Sequence, residues 1–263
     1  MSKNVFTSFC RSSDFFKSEY LFWCEQIKEK PRFHRKQWEY VFILNSLYEK
    51  NLLKPDNYGL GFAVGNEPLP DLFASYNINI LATDLIAHEA KKLGWLDTGQ
   101  HCKNIADLNK RKISDKSTFN KRVKFEYVDM NSIPKDLGNF DFCWSSCSLE
   151  HLGSIEKGLL FIKNSLDTLK PGGVAVHTTE FNLSSDDETI DFNPSCVLFR
   201  KKDLLSLPSI IGDKFLMDTI VFEFGNNVID NYIDLPPYLN NPHLKLKIDK
   251  FTSTSVGLIF QKK

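Results

Sequence analysis

Four stretches of this chain put acids or histidines directly behind short apolar runs. They are ATDL with Asp84, VDM with Asp129, SLEHL with Glu150 and His151, and VAVHTTEF with His177 and Glu180. Ahead of them lies Gly61-Phe62-Ala63-Val64-Gly65, with small residues at alternate positions. Such a bend after a strand lets a ligand lie against backbone N–H groups at a helix start. Asp84 follows Gly61 by 23 residues, an interval at which an acid commonly accepts the ribose hydroxyls of a nucleoside. Asp129, followed by the backbone N–H and apolar side chain of Met130, carries groups that can read an adenine edge. Taken alone, either acid serves equally well as a helix N-cap. A free histidine titrates near neutrality, which makes His151 the first choice for a general base, with Glu150 and Glu180 as the other candidates. His151 equally suits packing against a helix that begins at Ser154, and His177 suits packing inside a sheet.

These residues need elements to hold them. YGLGFAV, INILATDL (78–85), VKFEYVDM (123–130), FDFCWSS (140–146) and VAVHTTEF (174–181) read as five short apolar strands. Between them fall a helix opened by Pro68 and Pro70, a helix at AHEAKKLGWL, and an amphipathic helix over 155–170 stopped by Pro171-Gly172-Gly173. Strand and helix alternate from 58 to 181, which predicts a parallel sheet wound on both faces. Ligands of such sheets sit at the carboxyl ends of the strands, where the acids and histidines above are placed. Further on, KKDLLSLPSI reads as a short helix, and 215–224 and 252–261 read as a closing pair of strands. Before the sheet, residues 14–50 read as helical with a break at Pro31.

The totals exclude several classes. The chain has 263 residues, with 33 basic and 33 acidic side chains. Zero net charge argues against broad electrostatic binding to nucleic acid or an anionic membrane. Six cysteines show no CxxC pair and no disulfide-like framework; Cys143 and Cys147 are expected as reduced core residues. No run approaches the 18 apolar residues of a membrane span, and the first residues lack a leader-like apolar run, so a cytoplasmic protein is expected.

Together the motifs resemble those of class I S-adenosylmethionine-dependent methyltransferases over about residues 58–181. The pieces are GFAVG after the first strand, ATDL, VDM, FDFCWSSCSLEHL and LKPGGVAVHTTEF. The resemblance implies a Rossmann-like doubly wound, mostly parallel seven-stranded sheet with an antiparallel C-terminal strand, plus an N-terminal helical cap. It implies S-adenosylmethionine as cofactor, its amino-acid part on Gly61, Ala63 and Gly65 with Glu67 near. Asp84 and Leu85 would take the ribose, Asp129 and Met130 the adenine, and Ser145 and Ser146 would face the sulfonium. Two positions depart from the family pattern. Ala63 replaces the middle glycine of the bend, which is acceptable if the backbone there does not need φ > 0. Gly59 stands where the family often has an acid.

The implied function is methyl transfer to an oxygen or nitrogen of a small polar metabolite, such as a sugar or nucleotide-sugar. Residues 1–54 would form a cap or lid, with Arg32, His34, Arg35 and Trp38 toward the acceptor, or pack on the sheet edge. Residues 55–263 would form the cofactor-binding domain, with 225–250 as an inserted cover. No metal is expected, because the one acidic run, Asp186-Asp187-Glu188, reads as a solvated loop. The run 103–122 carries seven basic residues against two acids, and would either steer an anionic substrate or form a solvated face. Rival readings are a nicotinamide-dependent oxidoreductase and a non-catalytic S-adenosylmethionine-binding partner protein; neutral charge disfavours RNA methylation.

Overall fold

A computed structural model of the chain describes residues 6–92, 102 and 105–263. The strands are β1 (Ser8–Phe9), β2 (Tyr58–Phe62), β3 (Asn79–Asp84), β4 (Val123–Tyr127), β5 (Phe140–Ser146), β6 (Gly153–Ser154), β7 (Leu169–Asn182), β8 (Phe192–Asn193), β9 (Phe215–Met217), β10 (Ile233–Asp234), β11 (Lys245–Ile248) and β12 (Phe251–Lys262). The helices are α1 (Ser18–Gln26), α2 (Arg35–Glu49), α3 (Leu69–Ser75), α4 (Ala87–Lys92), α5 (Lys116–Arg122), α6 (Ile155–Asp167), α7 (Lys201–Ile211) and α8 (Val228–Asn231). The expected helix AHEAKKLGWL is seen as α4; its residues from 93 on lie outside the described residues.

Strands β4, β3, β2, β5 and β7 run side by side in that order, all parallel, and β12 follows β7 antiparallel. That is the wound parallel sheet the alternation predicts, in the Rossmann-like α/β form the resemblance implies. Among the described residues the main sheet has ten strands, where seven are expected. The additions lie on or beside β12, whose outer edge is shared by β11 at 251–254, β1 at 256–257 and β9 at 260–262. This sharing also shortens the strand expected over 215–224. Once β9 has paired, β1 holds the next stretch of edge, so residues after Met217 leave the sheet. Three short pieces thereby cover a long edge that would otherwise offer unpaired N–H and C=O groups.

Side-chain alternation sorts the sheet residues onto two faces. Phe142, Trp144, Val174 and Val176 pack with Phe42, Leu44 and Leu47 of α2 and Leu72 and Phe73 of α3. Leu60, Phe62, Cys143, Ala175 and Phe260 pack with Phe161, Ile162 and Leu166 of α6 and Leu204 and Leu207 of α7. Helix α6 buries Ile155, Gly158, Phe161, Ile162, Ser165 and Leu166, a spacing of three and four, and Ser154 caps its start by accepting the Lys157 N–H at 3.2 Å. It ends at Asp167, earlier than expected, because Leu169 has already paired with Phe140 of β5. Helix α2, from the segment expected as a cap, lies against the sheet core as one of its covering helices. No described helix is long and apolar enough to cross a membrane.

His177 is fully buried in β7, its Nδ1 at 2.8 Å from Ser145 Oγ and its Nε2 at 3.0 Å from Ser165 Oγ. Burial depresses its pKa to about 3. The unfolded chain therefore takes up this proton first as pH falls, and stability is lost between about 6.5 and 3. Lowering pH from 7 to 5 should cost about 2 kcal/mol through this residue. In His177→Gln the fall in unfolding free energy from pH 7 to 5, measured by denaturant melts, should shrink by about that amount; an unchanged slope would contradict the assignment.

Candidate active site

The order β3-β2-β5-β7 reverses the direction of chain progress between β2 and β5. Crossovers leave to opposite sides of this point, and the carboxyl ends of the strands open onto a crevice. A cavity of about 810 Å³ sits there, within the range that holds a nucleotide-sized ligand. It is lined by Ala63–Glu67, Asp84, Leu85, Val128–Asn131 and Ser146–Ser148 from the strand ends, and by His151 and Glu180. From the N-terminal segment come His34, Arg35, Lys36 and Tyr40, and from 225–250 come Tyr238, His243, Leu246 and Ile248.

The bend after β2 is tighter than the sequence suggested. Ala63 has φ 47° and Gly65 has φ 51°. Ala63 therefore occupies the left-handed region that glycine tolerates freely, and the proviso attached to the missing glycine fails. The bend is held from behind, since Val64 N–H donates to the Thr83 carbonyl at 3.0 Å and Gly65 N–H to Asp84 Oδ2 at 3.1 Å. Asp84 also accepts from Leu85 N–H at 2.8 Å and Cys102 N–H at 3.1 Å. Its carboxylate thus organises the bend as well as lining the cavity; a carboxylate has about four acceptor sites in all. Asp129 is exposed and accepts the Asn131 N–H at 2.8 Å, while Met130 is buried.

Two expected ligand contacts do not face the cavity. Gly61 lies inside β2 with the Trp144 ring over it: a Cβ built there would meet the ring at 2.4 Å. Its bareness serves close packing. Ser145 points to the opposite face of β5, where it meets His177. Ser146 is on the cavity side, donating to Glu39 Oε2 at 3.2 Å. Glu67 lines the cavity, but its Oε1 accepts the Trp144 Nε1–H at 2.5 Å, and burial pushes its pKa up to about 8.

The other end of the cavity is a buried polar cluster. Arg35 Nη1 pairs with Glu180 Oε1 and lies 3.4 Å from Glu39 Oε1, Cys147 Sγ and Ser255 Oγ. Ser253 Oγ donates to Glu180 Oε2. Glu180 is thus committed to Arg35 and Ser253, although burial, opposed by Arg35, raises its pKa. Lys36 Nζ donates to the Ser146 carbonyl at 3.2 Å. Glu150 is fully buried below the cavity rather than on its wall, and accepts from Thr179 Oγ1 at 3.0 Å. His151 lines the cavity with Nδ1 bonded to the Ser195 carbonyl, and burial lowers its pKa. The rings of His34 and His243 stack with centroids 4.4 Å apart, and His243 Nδ1 lies 2.7 Å from Asp234 Oδ2. His34 Nδ1 accepts the Lys36 N–H, and burial lowers the His34 pKa to about 3.

Sequence reading missed Lys36, Tyr40, Cys147, Cys196, Tyr238 and His243. Cys147 was legible in principle, being the first residue past β5; it is a half-buried cavity residue with φ 50°, not a core cysteine. No periodicity marks Tyr238 or His243, which arrive with an irregular segment. None of the six cysteines forms a disulfide. In the basic run, Arg111 pairs with Glu29 at 2.5 Å and Arg122 with Asp56 at 2.7 Å, so these two charges are offset within the protein; Lys103 lies outside the described residues.

No protein-family profile and no curated protein sequence matches the chain. Solved structures do. TehB from Haemophilus influenzae matches with TM-score 0.50 and 13% identity, over 93% of this chain and 67% of that one. Magnesium protoporphyrin IX methyltransferase from Synechocystis PCC 6803, solved with bound SAH, matches at 0.48 and 11%, over 95% and 97%. An S-adenosylmethionine-dependent methyltransferase from Clostridium acetobutylicum ATCC 824 matches at 0.47 and 14%, over 87% and 92%. Two other matches are longer proteins, of which this chain spans 60% and 57%. At 13% identity the likeness to TehB is one of fold alone.

The left-handed alanine yields a direct test. A non-glycine residue in that region is strained by about 1–2 kcal/mol, against about 0.5–1 kcal/mol of chain entropy that glycine adds to the unfolded state. Ala63→Gly should leave the melting temperature unchanged or raise it. A loss of about 1 kcal/mol, as at an ordinary alanine, would argue against this backbone conformation.

Proposed function

We propose that this chain is an S-adenosylmethionine-dependent methyltransferase acting on a small polar acceptor. One observation carries the reading: the ends of β2, β3, β4 and β5 deliver Ala63–Gly65, Asp84, Asp129–Met130 and Ser146 to one cavity at the point of strand-order reversal. The donor set suits the cofactor. Asp84 is a carboxylate for ribose hydroxyls, and Asp129 with the Met130 backbone takes the adenine edge. Leu85, Val128 and Met130 give apolar surface for a flat base, and the bend at Ala63–Gly65 presents backbone to the amino-acid end. When bound, S-adenosylmethionine supplies a methyl group already activated by its sulfonium.

The protein's work is then to align the acceptor, exclude water and accept or displace a proton. Arg35, Lys36, Tyr40, Tyr238 and His243 surround the acceptor end; segments 1–54 and 225–250 act as its cover. His151 is the pocket residue on which acceptor activation depends. Its ring is oriented by the bond from Nδ1 to the Ser195 carbonyl, which leaves Nε2 as the basic nitrogen. Glu180, neutralised by Arg35, orients rather than abstracts. The acceptor is an oxygen or nitrogen nucleophile of a small metabolite, with sugars and nucleotide-sugars within the class.

A thermal melt with S-adenosylmethionine at 100 times its dissociation constant should stabilise the protein by about 2.7 kcal/mol. Stabilisation by a nicotinamide dinucleotide instead would replace this reading with an oxidoreductase. Asp129→Ala, at an exposed position, should weaken cofactor binding about tenfold by calorimetry, the loss of about one hydrogen bond to a charged group, with little change in melting temperature. Unchanged affinity would refute the adenine contact. His151→Ala should cut methyl transfer from labelled cofactor to a metabolite pool by about 100-fold while cofactor affinity stays within about twofold. Full turnover in that variant would remove His151 from the mechanism.

A further inference from the structure

The sequence reading expects no metal and looks for one only in the run 186–188. Asp187 of that run is almost fully exposed. A different group is better built. Cys147, Glu150 and His151 bring one ligand atom each to within 4.8 Å of one another, the one such group found among the described residues. Cys147 and His151 line the cavity, and Glu150 lies directly behind them.

Three observations lead from this cluster to a bound cation. First, Glu150 is fully buried, and its Oε1 has no hydrogen-bond partner. A buried carboxylate oxygen left without a partner costs more than an ordinary lost hydrogen bond, so it calls for a positive group. His151 Nε2 stands 3.8 Å from that same oxygen. Second, His151 Nδ1 is bonded to the Ser195 carbonyl. Metal-ligating histidines characteristically give their other ring N–H to a carbonyl or carboxylate, which fixes the tautomer and turns the second nitrogen toward the ion. Third, with its carboxylates ionised the cluster is one positive charge short, so an added cation is accommodated. Around Cys147 two cations, Arg35 and Lys36, face three carboxylates, Glu39, Glu150 and Glu180. A divalent ion held by the Cys147 thiolate brings this buried cluster to neutrality.

We infer that Cys147, Glu150 and His151 form a zinc-type divalent metal site whose remaining position opens into the acceptor end of the cavity. Thiolate and imidazole select a borderline ion over calcium or magnesium, which take oxygen ligands. Zinc bonds of about 2.0–2.3 Å place neighbouring tetrahedral ligand atoms roughly 3.3–3.7 Å apart, so side-chain shifts of about 1 Å close the site. Three protein ligands with one open position is the pattern of catalytic rather than structural zinc. Resting on the methyltransferase reading, the open position would hold the acceptor's hydroxyl. The ion would lower that group's pKa so that its proton passes to solvent before methyl transfer. The dependence of turnover on His151 then follows from ligation.

The test needs neither methyl donor nor acceptor, so its outcome is independent of the methyltransferase assay. Metal-stripped full-length protein is titrated with Co²⁺ and followed by absorbance. Expected are one bound ion per chain, a thiolate-to-cobalt charge-transfer band, and its loss on adding Zn²⁺. Cys147→Ser should abolish the charge-transfer band, and Glu150→Gln should weaken Co²⁺ binding by about 100-fold or more while metal-free melting is no lower than wild type, since the amide removes an unpartnered buried charge. Absence of the band in the wild-type protein would overturn the proposal without recourse to any variant. Survival of the band in Cys147→Ser would equally overturn it, moving the thiolate to another residue such as Cys196.

Discussion

Between β2 and β5 the chain changes its direction of travel across the sheet, and much else follows from that reversal. Strands β3 and β4 are added on one side of β2, and β5 and β7 on the other. Parallel neighbours require crossovers that return each chain end to the same edge, so every loop leaving a carboxyl end is thrown outward from the reversal. No crossover can cover the tips of β2 and β5 without breaking that pattern. The crevice is therefore a property of topology, and the acids at its rim are simply the residues that end the strands.

The crevice also imposes local costs that the surroundings must offset. Ala63 sits in a left-handed conformation, and so does Cys147 at the end of the neighbouring strand β5. Both are the first residues past their strands, where a side chain must be turned out of the pleat and into the opening. Arg35 is likewise placed against its intrinsic preference for water. It is held by Glu39 one helical turn on and by Glu180 of β7, so α2 is tied to the sheet exactly where the sheet ends. Removing one member of such a buried cluster leaves charge uncompensated, at a cost of several kcal/mol, whereas the intact cluster contributes more to placement than to stability. Helix α2 is thereby both a covering layer of the core and a wall of the pocket.

What could be read from the sequence follows the same division. The five parallel strands were legible because each is a short β-rich run, and in β2, β3, β5 and β7 most side chains on both faces are buried, so little competes with the pattern; the edge strand β4, largely exposed, was carried by its β-forming residues. The positions of Asp84, Asp129 and His151 on the cavity wall were legible because ligand crevices of doubly wound sheets open at strand ends. Ser145 was misjudged by one residue: period-two alternation sends it to α6 and sends Ser146 to the cavity, a distinction that requires knowing which face Trp144 occupies. The shortening of β9 was illegible because it depends on β1, more than 200 residues away in sequence, competing for the same edge of β12.

The two ends of the pocket consequently differ in kind. The end proposed for the cofactor is made mostly of backbone and strand tips, so its form is dictated by a topology shared with unrelated sequences. The end proposed for the acceptor is assembled from side chains of four segments remote in sequence: 34–40, 146–151, 196 and 238–248. These are joined by contacts such as the Arg35 N–H to the His243 carbonyl at 2.9 Å and the stacking of His34 on His243. Only a chain with both the N-terminal segment and the late insertion in place completes that wall. On the proposed reading, acceptor specificity would rest on the parts of this protein that the common fold leaves free to vary, and the pairing of those two segments would be its structural condition.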